Sequence, residues 1–343
     1  MDCFAPFLGR TATWTGHVLD GFRRSNARTT HIPRSLFVAN CHPKVEQVSR
    51  EVDEYFLEHW PFPSERSRKK FVAAGFSRVT CLYFPLSKHD RIGHACRILT
   101  LLFLIDADVL EDMSFDEGAA YNEKLMPLAR GIKTPDRSIP VEYMMYDFWQ
   151  SMRQTDEKMA NAMLEPMFEF MRSQTDKTRG KEMGLGEYFR YRERDVGRAL
   201  LSGLMRFCMC IDLSKEEIEL VRNIDMNCSK HLSVINDIWS LEKELAAAKT
   251  GHEEGAVLCS SVCIVADEAS ISYSAAKRTL YVMCREWESA HVELTSSLFR
   301  RCDSASIRSY VKGLEYQMSG NEAWSKTTAR YRKEMLDTLG ASR

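Results

Sequence analysis

Asn236, Ser240 and Glu244 stand four residues apart in the stretch Asn236-Asp237-Ile238-Trp239-Ser240-Leu241-Glu242-Lys243-Glu244. On an α-helix a four-residue step turns the chain by only about 40°, so the three side chains share one face over about 12 Å of axis. An amide oxygen, a hydroxyl and a carboxylate in line are three oxygen ligands. They suit a hard divalent cation such as Mg²⁺, which keeps waters and shares itself with a phosphate. Lys243, beside the last of them, brings an ammonium within reach of the same anion. The generic alternative for such a match is a solvated, charged helix face. A second acidic cluster weighs against it. Asp106, Asp108, Glu111 and Asp112 close the predominantly apolar run 98–105, and Phe103, three residues before Asp106, shares its face. Carboxylates so crowded repel one another unless cations or solvent compensate them. Two oxygen-rich clusters on two helices, each beside a hydrophobic run, suit metal ions that bridge protein carboxylates to a diphosphate. The apolar cavity beyond would receive a hydrocarbon.

The elements that must hold these groups read as helices. From residue 43 onward the apolar pattern is helical almost without interruption, and it predicts helices over 45–60, 67–84, 86–113, 142–172, 188–210, 214–229, 230–250, 256–267, 274–297 and 304–319. Residues 131–140 and 251–255 read as loops. No window alternates with period two, and neither an internal repeat nor a Pro/Gly/Ser-rich linker divides the chain. The expectation is an all-α, single-domain bundle around a central hydrophobic cavity, over residues 41–335. Residues 1–40, with five arginines against two aspartates, read as a mobile leader, and 336–343 as a tail. The leader's composition also matches an organellar presequence.

Composition narrows the class. At 343 residues, 44% hydrophobic and 28% charged, the chain has ample apolar material for a core and a lined cavity. A net charge of −1 and the lack of a basic stripe argue against a nucleic-acid partner. Eleven cysteines, an odd number mostly in apolar helical contexts, read as reduced core residues, and neither their spacing nor paired histidines suggest zinc. The longest apolar run is too short to span a bilayer, and no signal-type h-region opens the chain. The expected location is the cytoplasm, with no membrane partner.

These residues together resemble the fungal class I terpene cyclases. The resemblance runs over nearly all of residues 80–332. It is carried by Phe103-Leu104-Ile105-Asp106, by Tyr191-Arg192-Glu193-Arg194-Asp195-Val196-Gly197-Arg198, by Ser233-Val234-Ile235-Asn236-Asp237-Ile238, by Thr250-Gly251-His252-Glu253-Glu254-Gly255, and by residues 313–331, which end in Thr328-Ala329-Arg330-Tyr331. It implies a helical cyclase that takes farnesyl diphosphate with three Mg²⁺. By position, Asp106 would hold two of the ions, and Asn236, Ser240 and Glu244 the third. Arg192, Lys243, Arg330 and Tyr331 would hydrogen-bond the diphosphate, with Arg198 a further basic residue for the same task. Tyr83, Phe103, Phe170 and Trp324 would line the cavity, where aromatic faces stabilise passing carbocations. Without the resemblance each of these four reads as core packing.

Elementary chemistry agrees with such roles. Diphosphate leaves carbon only when its growing charge is met by metals and fixed cations, and the resulting allylic cation must be kept from water. The expected reaction closes a ten-membered ring, then a bicycle, and ends in proton loss. Either the diphosphate or Tyr83 could act as acid or base along the way. One departure from the family pattern stands out. The family has two adjacent acids and a glutamate four residues after the first, whereas this chain has Asp106-Ala107-Asp108 with Glu111 five residues on. In a regular helix Asp108 would lie about 200° from Asp106, so a π-bulge or helix break near Ala107 is expected. A chain-elongating prenyltransferase would need a second Asp-Asp-x-x-Asp cluster in place of 236–244, and none is present. A catalytically impaired cyclase-like scaffold rests on the inserted residue alone. The resemblance also allows a homo-oligomer.

Overall fold

The computed structural model describes residues 32–250 and 257–332, so most of the expected leader, the loop at 251–255 and the tail at 336–343 lie outside the described residues. The compact unit that carries the helices opens at Ser35. Its first residues are tied down, with Ser35 Oγ and the Leu36 amide both donating to the Glu288 carboxylate, at 2.9 and 2.6 Å.

Among the described residues there are helices and no strands. In chain order they are α1 (Val45–His59), α2 (Glu65–Ala74), α3 (Phe76–Tyr83), α4 (Ile92–Asp108), α5 (Phe115–Arg130), α6 (Pro140–Ala162), α7 (Leu164–Gln174), α8 (Leu185–Asp195), α9 (Arg198–Met209), α10 (Lys215–Thr250), α11 (Ser261–Ala269), α12 (Tyr273–Phe299) and α13 (Ala305–Thr327). The all-α expectation holds.

Several boundaries differ from the sequence reading, each for a local reason. The segment 67–84 is two helices because Gly75 adopts φ +65, closing α2 and opening α3. The segment 188–210 is likewise split by Gly197 at φ +75. Only a residue without Cβ enters this left-handed region at little cost. Residues 142–172 form α6 and α7, separated at Met163. Conversely, 214–250 is one helix of 36 residues, α10, with neither glycine nor proline inside it. Its mid-helix hydroxyls bond back into the helix, Ser229 Oγ to the Met226 carbonyl and Ser233 Oγ to that of Ser229, each at 2.8 Å. The apolar pattern passed over α5 altogether. A reciprocal cap between Ser114 and Glu117 starts it, and Gly131 at φ +74 ends it.

The core is built around α10, which packs chiefly along α13 and α12. Val234 and Ile235, midway along it, are fully buried. Helix α4, apolar on nearly every side, lies against α3 and α6. The C-terminal half of α4 and the middle of α10 thus bound one cavity, together with α3, α7 to α9 and α13.

Candidate active site

Two helices bring side-chain oxygens to this cavity. Asn236, Ser240 and Glu244 line it from α10, and Asp106 from the last turn of α4. The inserted residue is accommodated by a helix break rather than a π-bulge. Helix α4 runs regularly through Asp108, the chain leaves helical geometry at Val109 (φ −126, ψ −57), and a 3₁₀ turn follows over Leu110–Asp112. The break therefore falls two residues after Ala107. Asp108 is turned outward, where Trp60 Nε1 donates to it at 3.1 Å. Glu111 is brought round to the cavity instead and accepts from Lys243 Nζ at 2.9 Å.

Each group has a defined neighbour. Gln174 Nε2, at the end of α7, donates to Asp106 Oδ1 at 3.0 Å. Burial raises the pKa of Asp106, and Arg179 opposes that shift. Burial likewise raises the pKa of Glu244, with Asp237 adding to it and Arg192 opposing. Carboxylates desolvated in this way gain from a nearby cation. Asn236 is fixed from both ends: its oxygen accepts from Arg192 at 2.9 Å, and its amide donates to the Tyr331 hydroxyl at 2.9 Å. The carbonyl oxygen keeps a second lone pair. Ser240 Oγ is buried, and its polar neighbour on this ridge is the Glu244 carboxylate, whose pKa it lowers. An all-oxygen ridge of amide, hydroxyl and carboxylate fits a hard divalent cation.

The cations sit on the same rim. Arg192 on α8 is paired with Asp195 and lies 3.4 Å from Asp237. Burial alone would lower its pKa, but Asp195, Tyr188 and Asp237 outweigh burial and keep the guanidinium charged. Arg330, in the 3₁₀ turn Ala329–Tyr331, lies 5.3 Å over the Phe76 ring. Burial pushes the Tyr331 phenol up to about 12, so it stays a neutral donor near neutral pH. Below the rim the wall is aromatic and aliphatic. Phe103 stacks between Phe76 and Trp324, at centroid distances of 4.7 and 6.4 Å. The Trp324 indole N–H is spent on the Ala74 carbonyl at 3.0 Å, away from any nucleophilic role. Phe170 packs against Gly197, and Tyr83 and Leu200 complete the lining.

Of the upstream acids, Asp106 and Glu111 line the cavity and Asp108 and Asp112 do not. All but one of the residues to which the resemblance gives a role meet here. The exception is Arg198. It does not line the cavity and is held instead by Glu193 and Asp225, both at 2.8 Å. Its six-residue offset from Arg192 spans the Gly197 turn, which redirects the chain. Conversely, Gln174, Arg179, Asp195 and Asn321 line the cavity unforeseen. Arg179 lies in the 3₁₀ turn Lys177–Gly180, and donates to the Val257 carbonyl at 3.2 Å. No periodic pattern marks such a turn. Elsewhere, His231, Glu288 and Glu322 come together as a ligand-like trio, but Arg285 already bridges both carboxylates and Lys326 pairs with Glu322 as well.

Known proteins place this geometry. A family model described as terpene synthase family 2, C-terminal metal binding, matches residues 97–289. An aristolochene synthase of Aspergillus terreus is 62% identical over 300 residues, covering 87% of this chain and 93% of that protein. One from Penicillium roqueforti is 52% identical over 316 residues, covering 92% of each. The crystal structure of aristolochene synthase from Penicillium roqueforti superposes with a TM-score of 0.78 at 51% identity, covering 87% of this chain and all of that one. A hedycaryol synthase structure, at 19% identity and TM-score 0.70, shares the fold. With its family model spanning more than half its length and close relatives along most of it, this chain belongs to the class I terpene synthases, a lyase family that binds a divalent metal.

Proposed function

We propose that this protein converts (2E,6E)-farnesyl diphosphate to aristolochene, or a closely related bicyclic sesquiterpene, and diphosphate. The observation that carries the reading is the meeting of two oxygen clusters and four diphosphate-type donors on the rim of one apolar cavity. Asp106 on one wall, and Asn236, Ser240 and Glu244 on the other, are the residues that would hold Mg²⁺, three ions in all by family resemblance. When bound, the ions supply the positive charge that lets diphosphate leave. Arg192, Lys243, Arg330 and Tyr331 orient the diphosphate and meet its growing charge with hydrogen bonds. Lys243 must exchange Glu111 for the diphosphate to do so.

The C–O bond breaks with its electron pair going to diphosphate. The distal double bond then attacks the allylic carbon to close a ten-membered ring. Phe103, Phe170 and Trp324 exclude water and offer their faces to the cation. Proton loss, reprotonation and shifts give a bicyclic cation, and a last proton loss releases the hydrocarbon. The protein is proposed to work in the cytoplasm as one catalytic domain, alone or as a homo-oligomer; no described helix is long and apolar enough to cross a membrane. Incubating purified protein with farnesyl diphosphate, with and without Mg²⁺, tests the reading. A Mg²⁺-dependent bicyclic sesquiterpene in the headspace is expected; farnesol alone, or no product, overturns it.

A further inference from the structure

Asn321 on α13 is 2% exposed, lines the cavity, and has no part in metal or diphosphate binding as set out above. Both ends of its amide are committed. Nδ2 donates to the Leu232 backbone carbonyl on α10 at 3.1 Å, and Oδ1 accepts from the Tyr83 hydroxyl at 2.9 Å. The polarity of this chain is forced by chemistry. A backbone carbonyl can only accept, so the amide end that faces Leu232 must be the NH₂. The oxygen then faces Tyr83, and because an amide oxygen can only accept, the phenol must be the donor. The Tyr83 proton is thereby fixed on α13, and its oxygen lone pairs are what remain. Leu232 precedes Asn236 by one helical turn, so this direction is registered on the helix that carries the oxygen ligands.

The backbone enforces the same pairing. A Cβ on Gly320 would lie 2.6 Å from the Leu82 carbonyl oxygen. Only glycine lets α13 approach α3 so closely, immediately beside both Tyr83 and Asn321.

We infer that Asn321 is a positioning residue that determines product: it holds the Tyr83 hydroxyl proton, so that Tyr83 presents oxygen lone pairs, not a proton, to the carbocations in the cavity. The inference rests on the cyclase reading. It removes Tyr83 as the acid that returns a proton to the neutral ten-membered-ring intermediate. Burial, which raises the phenol's pKa, keeps Tyr83 un-ionised, so no phenolate forms to act as a base. What Tyr83 contributes is the negative end of a fixed dipole, which favours positive charge as the second ring closes.

A mutant cycle tests this with Asn321→Leu, of similar size, Tyr83→Phe and the double variant. Products from farnesyl diphosphate are resolved by gas chromatography with mass detection, and circular dichroism checks the fold. Asn321→Leu is expected to raise the share of prematurely released monocyclic hydrocarbon about threefold or more, the weight of one hydrogen bond. In the Tyr83→Phe background the same substitution is expected to leave that share unchanged. An equal shift in both backgrounds, or none in either, overturns the inference, since Asn321 would then act by packing or not at all. If the leucine variant does not fold, Asn321→Ser carries the same cycle. A second readout needs no turnover. A slowly exchanging hydroxyl proton, assigned by its loss in Tyr83→Phe, is expected in the NMR spectrum of the parent and not in Asn321→Leu; its persistence there overturns the inference. A parent that makes no hydrocarbon overturns the cyclase reading instead.

Discussion

Ser240 Oγ is a buried hydroxyl one turn from Glu244, a part-buried carboxylate whose pKa desolvation raises and Ser240 lowers. A shared cation would offset the cost of desolvating both. Glu244→Gln keeps the shape and removes the charge. Turnover of farnesyl diphosphate is expected to fall more than about a hundredfold, since even indirect partners of metal sites can cost 10–100-fold. Arg198 makes the opposite case. Removing it as Arg198→Ala leaves Asp225, 5% exposed, without its ion pair. Stability is expected to drop by about 3 kcal/mol in chemical denaturation, with product pattern unchanged. That Asn236, Ser240 and Glu244 share one face was legible because helix geometry alone aligns a four-residue spacing. The fate of Arg198 was not, because Asp225 lies 27 residues away on another helix.

At the level of elements, glycines and caps decided what periodicity could not. Gly75 and Gly197 interrupt segments whose apolar pattern runs on, so the pattern alone read them as continuous. Helix α5 had a Ser114-x-x-Glu117 cap and a closing Gly131 in plain view, yet its weak apolar face hid it. The extra residue before Glu111 was read as a π-bulge or helix break near Ala107, and the helix breaks two residues on, at Val109. The chain breaks at Val109 because Asp108 is drawn outward to Trp60 while Glu111 turns in to Lys243. Those two partners, Trp60 just past α1 and Lys243 on α10, are distant in the chain. Gly197 shapes the cavity as well as the chain, because a Cβ there would lie 3.1 Å from Phe170 Cδ2. Gly197→Ala is expected to cost about 1–2 kcal/mol through its left-handed backbone. It should also displace Phe170, so the product ratio changes along with the melting temperature. A change in melting temperature with an unaltered product ratio would separate Phe170 from product control.

For the whole molecule, folding and ligand binding are linked, because the oxygen clusters on α4 and α10 are far apart in the unfolded chain. Mg²⁺ with inorganic diphosphate is expected to stabilise the protein by about 2.7 kcal/mol at a hundredfold excess over the dissociation constant, and Glu244→Gln to lose most of that gain. Away from the cavity, Asp53 on α1 sets a pH dependence of its own. Burial raises its pKa from 3.8 to about 7, and no cation or hydrogen bond offsets it. The sign follows from which state holds the proton. Between those two values the unfolded chain has released it while the folded protein keeps it, so each rise in pH favours unfolding. Stability from this group is therefore intact below about pH 4, declines as pH climbs, and is fully lost above about pH 7. Asp53→Asn removes the titration and keeps the size. Its melting temperature should exceed the parent's most at about pH 8, and the margin should close toward about pH 4. A margin independent of pH would mean that Asp53 ionises as readily in the folded protein as in the unfolded chain.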